Sequence, residues 1–386
     1  MTIRLLVVDD EPDLELLIRQ RFRRQIKENE YAFLFAGNGI EALDIIQKNN
    51  DIDIVLTDIN MPDMDGLTLL LKLNEMNLLL KSVIVSAYGD MENIRTAMNR
   101  GAFDFLTKPI DFQDLDITIQ KTHRLIYELK KAEHEYKQLE AIQRELDIAR
   151  DIQLSILPRK FPPFPARNDL DIHAVMIPAR QVGGDYYDFF FIDPEHLAFV
   201  IADVSGKGVP ASLFMMFTRT LLKAQAITEI DPGKCLNKVN DMLVEDNSES
   251  MFVTLFYAML NTNTGEVAFC NAGHNPPFIV RKSGELQAIS CCENIPLGIF
   301  PERCYQNKTL NLEPGDGIFL YTDGITEAQT QKSEFFTTTR LIQSLQRLNN
   351  QSASGIIEGV IEDVRAFTHG DPQSDDITAL FVRYQP

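Results

Sequence analysis

Residues 110–157, from Ile110 after Lys108-Pro109 to Leu157 before Pro158, contain neither glycine nor proline. Nothing in that stretch breaks a helix, and its wealth of Glu, Lys, Leu, Gln and Ala favours one. Leu125, Leu129, Ala132, Tyr136, Leu139, Gln143 and Leu146 alternate steps of four and three, which draws one narrow apolar stripe along it. At about 1.5 Å per residue the helix reaches roughly 60–70 Å, longer than the interior of one small domain. A chain built around such an element has separate folded units before and after it. From about 113 to 139 the regular spacing predicts a parallel two-stranded coiled coil. Beyond it Gln143, Arg150 and Gln153 stay on the stripe while Ile142, Leu146, Ala149 and Ile156 mark a shifted one. The expectation is that this weaker end docks on the following unit through Ile152 and Ile156.

The 386 residues, 45% of them hydrophobic, suffice for two or three domains with real cores. A net charge of −19 with no offsetting basic stripe argues against a protein that grips nucleic acid, and leaves room for carboxylate clusters that hold cations. The N-terminal apolar run ends in Asp9-Asp10, unlike a signal peptide, and no run approaches about 18 apolar residues. A cytoplasmic protein without a membrane partner is expected. Five cysteines without C-x-x-C spacing are read as reduced interior thiols.

Before the long helix, the β-prone runs 3–8, 52–57, 83–85 and 103–107 end at Asp9-Asp10, Asp58, Ser86 and Lys108, with helical patterns at 14–28, 39–48, 67–76 and 91–99 between them. Strands alternating with helices predict a doubly wound α/β domain with a parallel sheet, whose ligands bind at the carboxyl ends of the strands. Any one of these polar residues alone is an ordinary helix cap. Five at the ends of successive strands gather around one crevice, and three carboxylates there are tolerable when a hard cation such as Mg2+ lies between them. Asp58 is then placed as a nucleophile toward a phosphoryl donor, with Lys108 supplying a cation and Ser86 a hydroxyl.

These motifs, VVDDEPD, LTDINMPDMDG, VSAYGD and FLTKP, make residues 1–122 resemble a response-regulator receiver domain. The resemblance implies that Asp58 is the phosphoacceptor and that Asp9 and Asp10 hold Mg2+ with the backbone carbonyl of Asn60. It implies too that Phe105 is the aromatic switch residue and that a sensor histidine kinase is the phosphodonor.

After Pro158, short β-prone runs alternate with turns, interrupted by helical segments at 211–227, 232–244, about 338–348 and about 353–367. Such blocks predict an α+β or layered sandwich domain over 159–386. Its acids again sit at turns beside glycine: Gly183-Gly184-Asp185, Asp203-Val204-Ser205-Gly206-Lys207-Gly208, Asp323-Gly324 and Asp375-Asp376. Oxygen-only ligands from distant segments select Mg2+ or Mn2+, and two such ions suit metal-assisted phosphate hydrolysis.

ARQVGGDYYDFF, IADVSGKGVPASL, MFVTLFYAML, NAGHNPPFIV, LEPGDGIFLYTDGITEA and SDDITAL together resemble the PPM-type serine/threonine phosphatases in their SpoIIE-like branch. The resemblance implies an αββα sandwich and two Mn2+ or Mg2+ ions on Asp185, Asp203, Asp323, Asp375 and the carbonyl of Val204. The resemblance implies too that Asp203 bridges both ions and is the central catalytic ligand, with Asp375 rather than Asp376 as the last carboxylate. Distant relatives carry a histidine after the bridging aspartate where this chain has Ser205-Gly206-Lys207, so Lys207 and His274 are left as candidate substrate-binding residues, the alternative for His274, between Gly273 and Asn275-Pro276, being to hold a loop through a backbone hydrogen bond. A second departure is Phe336-Thr337, where relatives have glycine after the phenylalanine.

The expected whole is a multidomain response regulator: receiver at 1–122, coiled-coil linker at 123–158, phosphatase at 159–386. It would form a homodimer through the linker, with a phosphorylated STAS-domain anti-sigma-factor antagonist as substrate in a partner-switching pathway. The alternatives are a weakly active or inactive adaptor that binds such a partner, and a receiver-driven nucleotide cyclase. The first predicts loss of a metal aspartate, and none is lost. The second is suggested by Gly183-Gly184-Asp185, which continues Tyr-Tyr-Asp rather than Glu-Phe.

Overall fold

The computed structural model describes residues 2–386 apart from Asn50, Asn77, Tyr88, Gly89, Asp246, Ser248 and Glu293, so Tyr88-Gly89 of the VSAYGD motif lies outside the described residues. Two compact units divide at Ile142/Gln143, inside the long helix.

In the first unit the elements run β1 Ile3–Val8, α1 Pro12–Arg21, α2 Arg23–Lys27, β2 Tyr31–Ala36, α3 Gly39–Lys48, β3 Ile54–Asp58, α4 Gly66–Glu75, β4 Lys81–Ala87, α5 Met91–Asn99, β5 Asp104–Lys108 and α6 Phe112–Ile156. The strands are short apolar runs that stop where a polar residue must face water or a ligand. They pair in parallel in the order β2-β1-β3-β4-β5. No expectation covered β2, whose YAFLFA run ends in no chemistry-bearing residue. The single helix expected over 14–28 is instead α1 and α2, parted at Phe22. Its buried ring lies 5.6 Å from both Tyr31 and Phe33. Asn38 and Asp65 cap α3 and α4 with side-chain oxygens, meeting amides that would otherwise be unpaired.

The first turns of α6 complete this unit, because Leu115, Ile119 and Ile126 are buried in the core formed with β1, β2 and β3. From Tyr127 to Glu145 every residue of the helix is exposed.

The second unit continues with β6 Leu170–Ile177, β7 Tyr186–Phe191, β8 His196–Val204, α7 Val209–Ala226, α8 Pro232–Glu245, β9 Val253–Asn261, β10 Glu266–Ala272, β11 Phe278–Val280, β12 Leu286–Ala288, β13 Lys308–Asn311, β14 Gly317–Tyr321, α9 Asp323–Thr326, α10 Thr337–Leu348, α11 Ala353–Thr368 and β15 Ile377–Tyr384. Two antiparallel five-stranded sheets form, β13-β10-β9-β8-β7 and β12-β11-β14-β15-β6. Side-chain alternation divides the cores. Ile318, Leu320, Leu380 and Val382 point into the core shared with β8, β9, α7 and α8, while Phe319, Tyr321, Ala379 and Phe381 point under α10 and α11. The layers are therefore helix, sheet, sheet, helix. Thr337, where the resemblance implied a glycine, takes φ 69°, a left-handed backbone at a cost that a β-branched residue does not escape.

Candidate functional site

Strand order reverses between β1 and β3, which puts the residues just beyond both strands in one crevice. Asp9, Asp10 and Asp58 each offer a carboxylate oxygen there, all within 4.8 Å of one another. Lys108, at the end of β5, reaches in: its Nζ donates to Asp58 Oδ2 at 2.7 Å and Glu11 Oε1 at 3.0 Å and stands 2.9 Å from Asp9 Oδ2. Burial opposes its charge, but the hydrogen bonds from Lys108 to Asp58, Asp9 and Glu11 raise its pKa further. Burial also raises Asp9, against the pull of Lys108 and the Glu11 amide. One ammonium does not neutralise this many carboxylates, so the all-oxygen pocket fits a hard divalent cation.

Asp58 Oδ1 accepts from the Ile59 amide at 2.6 Å, and the Asn60 amide faces it at 3.4 Å. Gly66 is required here, since a Cβ would lie 2.0 Å from the Asp58 carbonyl oxygen. Ser86 is buried at the end of β4 and donates to Asp90 Oδ2 at 3.3 Å, while Phe105 on β5 is 37% exposed.

The second acidic group draws on both sheets of the sandwich. Asp185 precedes β7, Asp203 lies near the end of β8, Asp323 opens α9 after β14, and Asp375-Asp376 precede β15. Asp185 is buried and accepts a hydrogen bond from Thr322 Oγ1 at 2.7 Å. Its burial, and then the charges of Asp203 and Asp376, drive its pKa far up. Burial followed by the charge of Asp323 pushes Asp203 up to about 7. Asp323 is raised by burial, then by Glu327 and Asp375. The set is under-neutralised, and its donors are oxygens only. Among the described residues no second trio of carboxylates is as tight as Asp9, Asp10 and Asp58. Such a donor set fits hard divalent cations.

The adjacent Asp375 and Asp376 face different ways. Asp376 spends both oxygens on backbone, accepting from the Ala179 amide at 2.8 Å and the Gly184 amide at 2.7 Å. A Cβ on Gly183 would come within 2.4 Å of Asp376 Oδ2, and one on Gly184 within 2.9 Å of the Val204 carbonyl oxygen. Asp375 Oδ2 instead accepts from Lys207 Nζ at 2.8 Å. Lys207 is thus beside the acidic group.

Of the two roles open to His274, the structure favours holding a loop: substrate binding would need access, and the residue is buried. Its Nε2 donates to the Tyr321 carbonyl at 3.1 Å, which leaves Nδ1 to accept from Thr254 Oγ1 at 2.9 Å. Burial lowers its pKa to about 4, so it is a neutral pin between β9 and β14. Of the docking expected through Ile152 and Ile156, Ile156 packs on the sandwich core while Ile152 is 52% exposed. Gln153, next to it, is the buried residue. Thr322 and Gln153 carried no sequence signal beyond their places beside Asp323 and in the final turn of the long helix.

The fold and its two acidic groups define a receiver domain joined by a long helix to a PP2C-like α/β phosphatase domain. The response regulator receiver domain family matches residues 5–120, and the Stage II sporulation protein E (SpoIIE) family matches residues 193–385. The chain is 31% identical over 256 residues to phosphoserine phosphatase RsbU of Bacillus subtilis (strain 168), covering 65% of this chain and 75% of that protein. It is 30% identical over 265 residues to Protein IcfG of Synechocystis sp. (strain ATCC 27184 / PCC 6803 / Kazusa), covering 62% of this chain but only 41% of IcfG. Among solved structures, the SiaA-PP2C domain of Pseudomonas aeruginosa superposes with a TM-score of 0.57 at 21% identity, over 64% of this chain and 99% of that one. The chain belongs to the SpoIIE family.

Proposed function

We propose that the chain is a response regulator whose phosphorylation at Asp58 controls a Mn2+- or Mg2+-dependent protein serine/threonine phosphatase. The observation that carries this reading is the under-neutralised set Asp185, Asp203, Asp323 and Asp375, drawn from both sheets, on a chain that also carries the Asp9-Asp10-Asp58-Lys108 crevice. In the receiver, Asp9 and Asp10 with the Asn60 carbonyl would hold one Mg2+. Lys108 offsets charge on the incoming phosphoryl oxygens, an Asp58 oxygen forms the new P–O bond as the bond to the kinase histidine breaks, and Ser86 orders the product with its hydroxyl.

In the phosphatase, Asp185, Asp203, Asp323, Asp375 and the Val204 carbonyl would hold two ions, which would supply an acidified water and a clamp for the phosphate. Thr322 orients Asp185, and Lys207 is within reach of a phosphate held beside Asp375. The name of the relative RsbU supports phosphoserine as substrate. The finer reading is a phosphorylated STAS-domain antagonist, with a sensor histidine kinase as phosphodonor and a homodimer through α6. Among the described residues no helix is long and apolar enough to cross a membrane.

The test is hydrolysis of a phosphoserine STAS-domain protein in Mn2+, with and without beryllofluoride as the aspartyl-phosphate mimic. Turnover by the full chain that Asp203→Ala abolishes is the expected result. No turnover by the full chain in either state, and none by residues 159–386, would sink the reading.

A further inference from the structure

Gln153 is a polar residue in the last turns of α6, yet it is 1% exposed. A primary amide this deep must find partners for both ends. It finds them on one residue: Nε2 donates to the Gly183 carbonyl at 2.6 Å, and Oε1 accepts from the Gly183 amide at 3.1 Å. Gly183 is two residues before Asp185, and the peptide between is held from the other direction, since the Gly184 amide donates to Asp376 Oδ2 at 2.7 Å. Two further contacts tie the same stretch to the helix and its exit. Gln181 Nε2 faces Gln143 Oε1 at 3.4 Å, and Tyr187 Oη donates to the Pro158 carbonyl at 2.7 Å. Leu154 and Ile156 pack on the sandwich core, and Leu157 is buried in it. The segment 181–187 that delivers Asp185 is therefore fastened along the end of α6.

We infer that Gln153 is a positioning residue for the metal site: its double hydrogen bond to Gly183 sets where Asp185 stands, so a shift or turn of the end of α6 moves a cation ligand. The inference rests on the proposed phosphatase reading. It differs from a packing role because the amide of Gln153 touches only backbone, and the backbone it touches leads into Asp185. Flanking residues of a cation site act in this way by fixing the geometry of the ligands.

The experiment compares Gln153→Met, which keeps the size and loses both hydrogen bonds, and Gln153→Glu, which keeps the acceptor alone. Both are made in the full chain carrying Asp10→Asn, so that the receiver crevice does not take up the metal. The readouts are Mn2+ affinity by electron paramagnetic resonance, amide hydrogen exchange over 181–187, and thermal midpoint. Expected are a roughly tenfold weaker Mn2+ affinity for Gln153→Met, equivalent to about 1.4 kcal/mol, and a smaller loss for Gln153→Glu. Exchange at Gly183 quickens, the midpoint shifts by only a few degrees, and turnover recovers when Mn2+ is raised. Unchanged Mn2+ affinity in the variants overturns the inference. If Gln153→Met does not fold, the same reading is taken from Gln153→Glu, where parental affinity overturns it equally. A parent protein that binds no Mn2+ at all removes the phosphatase reading itself, and this role with it.

Discussion

At the scale of single residues, His274 shows how burial decides a role. Its imidazole is held neutral with a pKa of about 4, against about 6.5 when unfolded. The unfolded chain therefore binds more protons between those values, so this contribution to stability is complete above pH 6.5 and disappears as pH falls toward 4. Its full size is about 3 kcal/mol. Asp203 works against it: a carboxyl raised to about 7 stabilises the protonated protein at low pH and loses that contribution as pH rises. The two slopes oppose each other over the same window, so the wild-type profile alone is uninformative. The difference between wild type and His274→Gln isolates the histidine. Urea unfolding at pH 6.5 and 4.5 should show the wild type losing about 2–3 kcal/mol relative to the variant; a constant difference would mean that His274 is not held neutral by the fold.

Asp375 and Asp376 make a related point about legibility. As neighbours in sequence they are indistinguishable, because what separates them is which amides face them, and those belong to Ala179 and Gly184, nearly two hundred positions away. Acids that end an apolar strand, such as Asp9, Asp58, Asp203 and Asp323, were legible. There the pattern itself says that the chain stops being buried.

Among the elements, α6 was the most legible: expected over 110–157, it runs from Phe112 to Ile156, and Ile156 packs on the sandwich core as expected. The burial of Gln153 was not legible, since a glutamine in a run rich in Glu, Gln and Lys reads as solvated, and only the fold brings Gly183 to it. The strand β2 was missed for a different reason: its YAFLFA run ends at Gly37-Asn38-Gly39, which marks a turn but carries no carboxylate or cation at the strand's end to single the run out.

From Tyr127 to Glu145 every residue of the helix is exposed, Tyr136 and Leu139 by 68% and 66%. Ion pairs such as Lys137 to Glu133 at 2.6 Å are worth about 0.3–0.5 kcal/mol each, too little to hold so long a bare segment helical. An apolar stripe with four-three spacing is stabilised when a second copy buries it. Light scattering should therefore give a dimer for the wild type and a monomer for the double variant Leu129→Asp, Leu139→Asp. A wild type that remains monomeric at about 100 µM, where even an affinity of about −6 kcal/mol would show, contradicts the seam.

For the molecule as a whole, the question is whether the crevice at Asp58 and the acidic group at Asp203 influence each other. A continuous helix has one property that bears on this. Leu139, Gln143, Arg150 and Gln153 are spaced by fours, threes and sevens, so along α6 they lie on one face. If a second copy packs on that face, a rotation of the helix there turns Gln153 with it. Coupling of this kind is a free energy, commonly 1–3 kcal/mol or about 5–150-fold, and removing its carrier should reduce the ratio without reversing it. Three variants separate the parts when hydrolysis is measured with and without beryllofluoride at saturating Mn2+. Asp58→Ala should remove the response to the mimic. Asp203→Ala should still bind the mimic but hydrolyse nothing in either state. Gln153→Met should hydrolyse and bind the mimic, with the ratio between the two states falling toward one. An unchanged ratio in Gln153→Met would show that the end of α6 is an anchor alone, and that any coupling between the two acidic groups takes another route.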